Sequence, residues 1–336
     1  MRIAVDAMGG DQAPEMVVQG AVAAACHEPI TLLLVGPQAV VRAEVQRYPE
    51  AAALAIEVID APDVVAMDEP YSAIARRQRK TSVRVAADLV GRGLADALFT
   101  AGHSGAAILA AHGAIGRLAG ADRPALAATI PTMGGAAILL DAGATVECRP
   151  AHLLQFAHLG AAYARVALGV PRPRVALLSN GSEAVKGNEL IREAYRLLEQ
   201  SSLSFVGALE ATDLFVGDAD VIVCDGFTGN VALKTSEGLV ETIEHLLGDE
   251  MARTVTAQVG ALLTRGAFRR FRARLDYAEY GGAPLLGVEG LCVIGHGRSS
   301  ARAIERGVAL TARFAREGLV DRLREALSSP SPVLYS

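Results

Sequence analysis

The residues best suited to chemistry stand just past short apolar runs. Lys186 lies in the loop Asn180-Gly181-Ser182-Glu183-Ala184-Val185-Lys186-Gly187-Asn188, between an apolar run and a helical pattern. Asn230 follows Asp225, Gly226, Thr228 and Gly229 beyond the run Val221-Ile222-Val223-Cys224. His103 follows Gly102 and precedes Ser104 and Gly105, and His296 stands between Gly295 and Gly297. Asp6, with Gly9 and Gly10 beyond it, and Asp141 close two further runs. A lysine or a carboxamide on a glycine-turned loop can hold an anion or stabilise a developing oxyanion. Successive glycine N–H groups can form a nest for phosphate. Each residue also has a plain structural role open to it. Lys186 can be a solvated loop lysine, and His103, His296, Asp6, Asp141 and Asp225 can cap turns and helices. The three aspartates could together orient donors or hold a metal. Their spacing is unlike a compact carboxylate cage, so donor orientation is the better expectation and no metal is predicted.

The elements that must position these groups alternate in type. Residues 3–5, 30–35, 54–59, 95–100, 126–130, 136–140, 175–178, 221–224 and 291–294 read as strands, most followed by helical patterns. Pro14 suits the first turn of a helix over 15–26, with Asp11 as a candidate cap. This alternation predicts an α/β fold with a mostly parallel sheet between helical layers. At least five strands end in Gly with Asp, Asn, His, Ser or Thr, so a polar cleft is expected along one edge of one sheet. The pattern weakens from 249 to 274, a helical stretch that carries Arg265, Arg269, Arg270, Arg272 and Arg274 and several apolar residues. Residues 280–287 read as a turn-rich loop. Without an internal repeat or a linker, the expectation is one unit over 1–336 with a helical projection at about 249–275.

Composition limits the function classes. The 336 residues are 51% hydrophobic and 21% charged, and the formal net charge is −5, which argues against general nucleic-acid binding. The four cysteines are widely spaced with no Cys-x-x-Cys pair, so they read as core residues of a reducing cytosol. The N-terminus resembles a strand rather than a signal peptide. No apolar run reaches the ~18 residues of a membrane span. No dinucleotide fingerprint, P-loop or G-x-S-x-G elbow occurs, and no Ser/His/Asp spacing marks a triad. The run Arg76-Arg77-Gln78-Arg79-Lys80 is either a solvated face or an anion-facing loop.

Several motifs, in order along nearly the whole chain, resemble the bacterial phosphate acyltransferases. They are Asp6-Ala-Met-Gly-Gly-Asp-Gln-Ala-Pro14, Leu140-Asp-Ala-Gly-Ala144, Lys186-Gly-Asn-Glu-Leu190, Cys224-Asp-Gly-Phe-Thr-Gly-Asn-Val231, Tyr280-Gly-Gly-Ala-Pro-Leu-Leu-Gly287 and Ile294-Gly-His-Gly297. The resemblance implies transfer of a fatty acyl group from acyl-acyl carrier protein to inorganic phosphate at the start of phospholipid synthesis. It also implies a fold like that of the isocitrate and isopropylmalate dehydrogenases and of phosphate acetyltransferase, and a homodimer. Two stretches depart from the family: His103-Ser104 stands for Asn-Thr, and Ser179–Ala184 for a more acidic run. Phosphate would itself be the nucleophile, so no Ser or Cys nucleophile and no cofactor is expected. Lys186 then holds phosphate and stabilises the oxyanion, with Asn230 as the second donor. Asp6, Gly9, Gly10, Gly102, His103, Ser104, Gly105, Asp141, Asn188, Asp225, Thr228, Gly229 and His296 form the expected substrate-binding set. Arg269, Arg270 and Arg272 are expected to meet the acidic carrier protein or anionic headgroups, although the same helix could serve only dimer packing. An acyl phosphate must reach a membrane glycerol-3-phosphate acyltransferase, so a cytoplasmic protein peripherally bound to the inner membrane face is expected. A decarboxylating dehydrogenase of related fold and a non-enzymatic scaffold are the competing functions. Neither the metal cluster of the first nor any need of the second for so many glycine-lined ends is legible.

Overall fold

Runs of Val, Ile and Leu too short for helices form strands buried on both faces, and the longer periodic segments cover them. A computed structural model describes residues 1–70, 80–183, 186–275 and 281–328, with the side chains of 269 and 272–275 excepted. The basic run at 76–79, Tyr280 and the Ser/Pro-rich tail lie outside the described residues, as do the side chains of Arg269 and Arg272.

The first sheet contains β1 (Arg2–Asp6), β2 (Thr31–Gly36), β3 (Ile56–Asp60), β4 (Ala97–Thr100), β5 (Ala125–Leu126), β11 (Ala283–Leu286) and β12 (Leu291–Ile294), in the order β3-β2-β1-β4-β12-β11-β5. Its first five strands run parallel, whereas β11 is antiparallel to both β12 and β5. The second sheet has β6 (Ala128–Thr132), β7 (Gly135–Leu140), β8 (Arg174–Leu178), β9 (Ser204–Leu209) and β10 (Val221–Val223), in the order β6-β7-β10-β8-β9. Only β6 is antiparallel to its neighbour. The glycine-ended strands are therefore divided between two sheets, not gathered on one. The apolar run expected as one strand over 126–130 breaks at Ala127: Leu126 pairs with Leu285 of one sheet and Ala128 with Leu139 of the other.

Among the described residues ten α-helices flank the sheets: α1 (Glu15–His27), α2 (Gln38–Val45), α3 (Ser82–Gly91), α4 (Ser104–Ala110), α5 (Pro150–Ala167), α6 (Glu189–Glu199), α7 (Gly226–Ala252), α8 (Val255–Leu275), α9 (Ala301–Arg316) and α10 (Leu319–Ser328). Pro14 stands at the N-cap of α1, and no side chain caps that end. Helix α5 buries Leu153, Phe156, Leu159 and Tyr163, and the Tyr163 ring meets Phe314 of α9 edge-on at 5.5 Å. One core cluster thus includes residues from both sheets, such as Val5, Phe99, Leu140 and Val223. At Gly20 a β-carbon would collide with the backbone of Ala301, so α1 and α9 touch almost backbone to backbone.

Helices α7 and α8 depart from this pattern. Only Gly226 and Gly229 are buried in α7, while Leu239, Leu246, Val255, Leu262 and Leu263 are exposed, Leu263 to 81%. The projection is thus a pair of helices rather than the single stretch expected over 249–274, and it begins at β10. No described helix is long and apolar enough to cross a membrane.

Candidate active site

Parallel strands place their carboxyl ends on one edge, so the register of each sheet decides which loops meet. In the first sheet β4 lies between β1 and β12. The loops beginning at Asp6, Ala101 and Gly295 are therefore neighbours. The Thr100 hydroxyl donates to Asp6 Oδ2 at 2.7 Å, the Gly102 N–H donates to Thr100 Oγ1 at 3.0 Å, and the Met8 N–H donates to Asp6 Oδ1 at 3.3 Å. A β-carbon on Gly9 would lie 2.6 Å from Asp6 Oδ2 and 2.7 Å from Gly102 N, so only glycine lets these turns meet. The Asp11 N–H donates to the Gly297 carbonyl at 2.9 Å and ties in the third loop. Asp6 is 3% exposed, and burial pushes its carboxyl above the usual range against hydrogen bonds from Ser82, Thr100 and Met8. His103 caps α4, its Nδ1 accepting from the Ala106 N–H at 3.3 Å, with Ser104 exposed and Gly105 half-buried beside it. Its capping nitrogen must carry a lone pair, which leaves Nε2 as the donor of the neutral ring.

In the second sheet β10 lies between β7 and β8. Asp141 ends β7 and accepts four backbone N–H groups: Leu126 at 2.8 Å, Gly143 at 2.9 Å and Ala144 at 2.9 Å on Oδ1, and Thr145 at 2.6 Å on Oδ2. It is wholly buried, and burial raises its carboxyl while those amides oppose the rise. Asp225 caps α7 by accepting from the Thr228 N–H at 2.9 Å and the Thr228 hydroxyl at 2.7 Å. The Gly226 N–H donates to the Thr145 carbonyl at 2.9 Å, and Gly229 packs directly over the Asp141 backbone. This close approach brings the exposed Asn230 over Gly143, which has φ +134°, and a β-carbon there would lie 3.5 Å from Asn230 Oδ1. Beyond β8, Asn180 Oδ1 accepts from the Gly187 N–H at 2.8 Å, and Asn188 caps α6 by accepting from the Ile191 N–H at 3.0 Å. Lys186 is exposed within that loop, its stem passing over Gly181.

Lys186 thus stands on the loop after β8 and Asn230 near the start of the helix that follows the adjacent β10, with the Gly143 turn beside Asn230. Asp6 and Asp141 are both buried and engaged by the protein's own donors, the geometry of groups that hold loops in shape. Asp225, half-buried, serves as the α7 cap. His296 accepts from the Arg298 N–H through Nδ1 at 3.2 Å, and its Nε2 faces Glu237 of α7 at 3.9 Å. The projecting helix therefore reaches from the second sheet's edge to that of the first. Thr100, Gly143, Glu237, Glu241 and Arg298 were not singled out from the sequence. The usable signal was the stripe Asn230, Lys234, Glu237, Glu241, which keeps to one helical face.

The arrangement supplies donors rather than a protein nucleophile. Cys148 and Cys224 lie nearest the Asp141 turn, and burial is the main cause that pushes Cys148 up to about 12 and Cys224 well above its ordinary value. Neither is a thiolate near neutral pH. Among the described residues no group of three or more His, Cys, Asp or Glu is arranged to hold a metal.

The family described as "Fatty acid synthesis protein" matches residues 1–322. A phosphate acyltransferase of Acidobacterium capsulatum is 47% identical over 329 residues, covering 98% of each chain. Among solved structures, a phosphotransacetylase from Streptococcus pyogenes superposes with a TM-score of 0.62 at 17% identity, covering 94% of each chain. The EutD phosphotransacetylase from Staphylococcus aureus gives 0.60 at 17% identity, again over 94% of each. These two likenesses carry the fold, and the sequence identity carries the family. The chain belongs to the phosphate acyltransferase family and is an acyltransferase.

Proposed function

We propose that the acyl donor is a fatty acyl-acyl carrier protein and that the product is an acyl phosphate used for phospholipid synthesis. A phosphate oxygen attacks the thioester carbonyl, the C–O bond forms, and the C–S bond breaks with its electron pair leaving on sulfur, which then takes a proton. No covalent enzyme intermediate is needed. The enzyme must hold phosphate in line and stabilise the oxyanion of the tetrahedral intermediate. Lys186 holds phosphate and balances the developing charge, and Asn230 donates the second hydrogen bond. The turns at Gly9, Gly10, Gly102, Ser104, Gly105, Asn188, Thr228 and Gly229 line the substrate side, with Asp6, Asp141, Asp225 and His103 keeping them in shape. No cofactor takes part in this scheme.

The observation that carries the proposal is the seating of Asn230 against Gly143, one strand from the Lys186 loop, beside cysteine thiols that burial holds well above their ordinary value. The exposed α7–α8 pair fits the partners of such an enzyme. Val259, Leu262 and Leu263 offer apolar surface, and the exposed Arg265 and Arg270 offer charge. A second copy of the chain, the acidic carrier protein and the anionic inner membrane surface are the proposed occupants, the last placing a cytoplasmic enzyme near a membrane glycerol-3-phosphate acyltransferase. The test is palmitoyl-acyl carrier protein with and without phosphate, with acyl phosphate trapped by hydroxylamine. Phosphate-dependent hydroxamate is expected. Thioester loss at the same rate without phosphate would make the chain a hydrolase and overturn the proposal.

A further inference from the structure

Helix α7 leaves the second sheet at Gly226, yet its next turns are fastened to the first. Asn230, Lys234, Glu237 and Glu241 follow i, i+4, i+7, i+11 spacing and share a face. Asn230 stands over Gly143, whereas Glu237 Oε2 lies 3.9 Å from His296 Nε2 and Glu241 Oε1 accepts from Arg298 Nη2 at 2.7 Å. The receiving loop is itself held: the His296 Nδ1 accepts from the Arg298 N–H, and the Gly297 carbonyl accepts from the Asp11 N–H. A continuous path therefore runs from the β1 turn through residues 296–298 into α7 and back to Asn230.

We propose that Glu241, hydrogen-bonded to Arg298, and Glu237, facing His296, are a two-point clamp that sets the gap between the two sheet edges and thereby positions Asn230. This rests on the reading of Asn230 as an oxyanion donor. Stability alone does not account for the pairs. The Glu241–Arg298 side chains are 52% and 56% exposed, and ion pairs so placed stabilise a fold very little. Glu237 differs, its side chain only 13% exposed between Lys234 at 3.9 Å and His296. Geometry is what these contacts fix, because α7 packs on the core only through its first turns, at Gly226, Gly229, Ala232 and Leu233. A small displacement of a donor far from its anchoring contact is enough to slow an acyl transfer. Glu237 and Glu241 are thus positioning residues, and His296 acts through the helix rather than on substrate. The groups facing the His296 ring are Glu237, Lys234, Arg298 and Asp11; burial, the largest influence, lowers its basicity, and Glu237 and Asp11 oppose that.

The test uses the full chain with Glu237→Gln, Glu241→Arg, Arg298→Glu and the paired Glu241→Arg/Arg298→Glu. Hydrogen–deuterium exchange should rise on both 226–241 and 295–300 in each single variant, and kcat should fall by about tenfold with little change in melting temperature. The paired reversal should restore both. The His296 imidazole, followed by NMR, should titrate at lower pH in Glu237→Gln. Exchange that rises only on the mutated segment, or a paired variant as slow as its two parents combined, would overturn the clamp. Asn230→Ala separates the two levels. Full activity in Asn230→Ala would remove the donor assignment itself. A slow Asn230→Ala beside fully active clamp variants would remove only the clamp.

Discussion

Asp6 and Asp141 occupy matching places, each a buried carboxylate at the end of a parallel strand, one in each sheet, and they do different work. Asp141 is saturated by four backbone N–H groups and builds a rigid turn beneath Gly143. Asp6 accepts mainly from side chains of other elements and one amide, so it joins the loops of β1, α3 and β4. The lesson is that an aspartate after a strand can be a turn's internal scaffold or a staple between turns. The number of backbone donors tells which.

Asp141→Asn should have the largest effect on the fold. A carboxamide offers one acceptor oxygen to four N–H groups and brings its own NH₂ against them, so amides would be left buried and unpaired. A loss of about 3 kcal/mol or more is expected in urea unfolding. Asp6→Asn keeps an acceptor for the Thr100 hydroxyl or the Met8 amide and should lose only about 1–2 kcal/mol. Equal losses would erase the distinction between the two sites.

The Asp6 carboxyl is raised by burial in the folded state, so its contribution is fully present below the unfolded carboxyl range and is lost as pH rises through the raised value. The stability advantage of the wild type over Asp6→Asn should therefore shrink as pH rises above the ordinary carboxyl range. An advantage that grew with pH would show that the Thr100, Ser82 and Met8 hydrogen bonds outweigh burial. The smallest effect concerns thiols. Exposed Cys26 should react first with a disulfide reagent at pH 8, while Cys148, held up at about 12 by burial and by Asp141, should wait. In Asp141→Asn the Cys148 label should enter faster. Unchanged labelling would show that the turn survives the substitution.

Much of this was legible because parallel strands in this chain are β-branched runs that stop at glycine and a polar residue. Val221-Ile222-Val223, Val175–Leu178 and Leu291–Ile294 announce themselves, and so do the caps at His103 and Asp225. What failed had tertiary causes. Nothing in Leu126-Ala127-Ala128-Thr129-Ile130 says where one sheet yields to the other, because only the partners Leu285 and Leu139 decide it. Strand β11 hid among glycines and Pro284, which read as turn chemistry, and β9 is an edge strand interrupted by Gly207. The break between α7 and α8 at Arg253-Thr254 has neither Gly nor Pro to mark it. Glu237 and Glu241 look like an ordinary solvated helix face until the loop at 296–298 is placed against them.

The central claim is that Lys186, on the loop after β8, and Asn230, near the start of the helix after the adjacent β10, hold phosphate as the nucleophile. Phosphate-saturation kinetics of Lys186→Ala and Asn230→Ala test it most directly, with palmitoyl-acyl carrier protein as donor and melting temperature as the control. Each variant should lose about a hundredfold or more in kcat/KM for phosphate while melting within a degree or so of the wild type. Folded variants that kept kcat/KM for phosphate within about twofold would contradict the account.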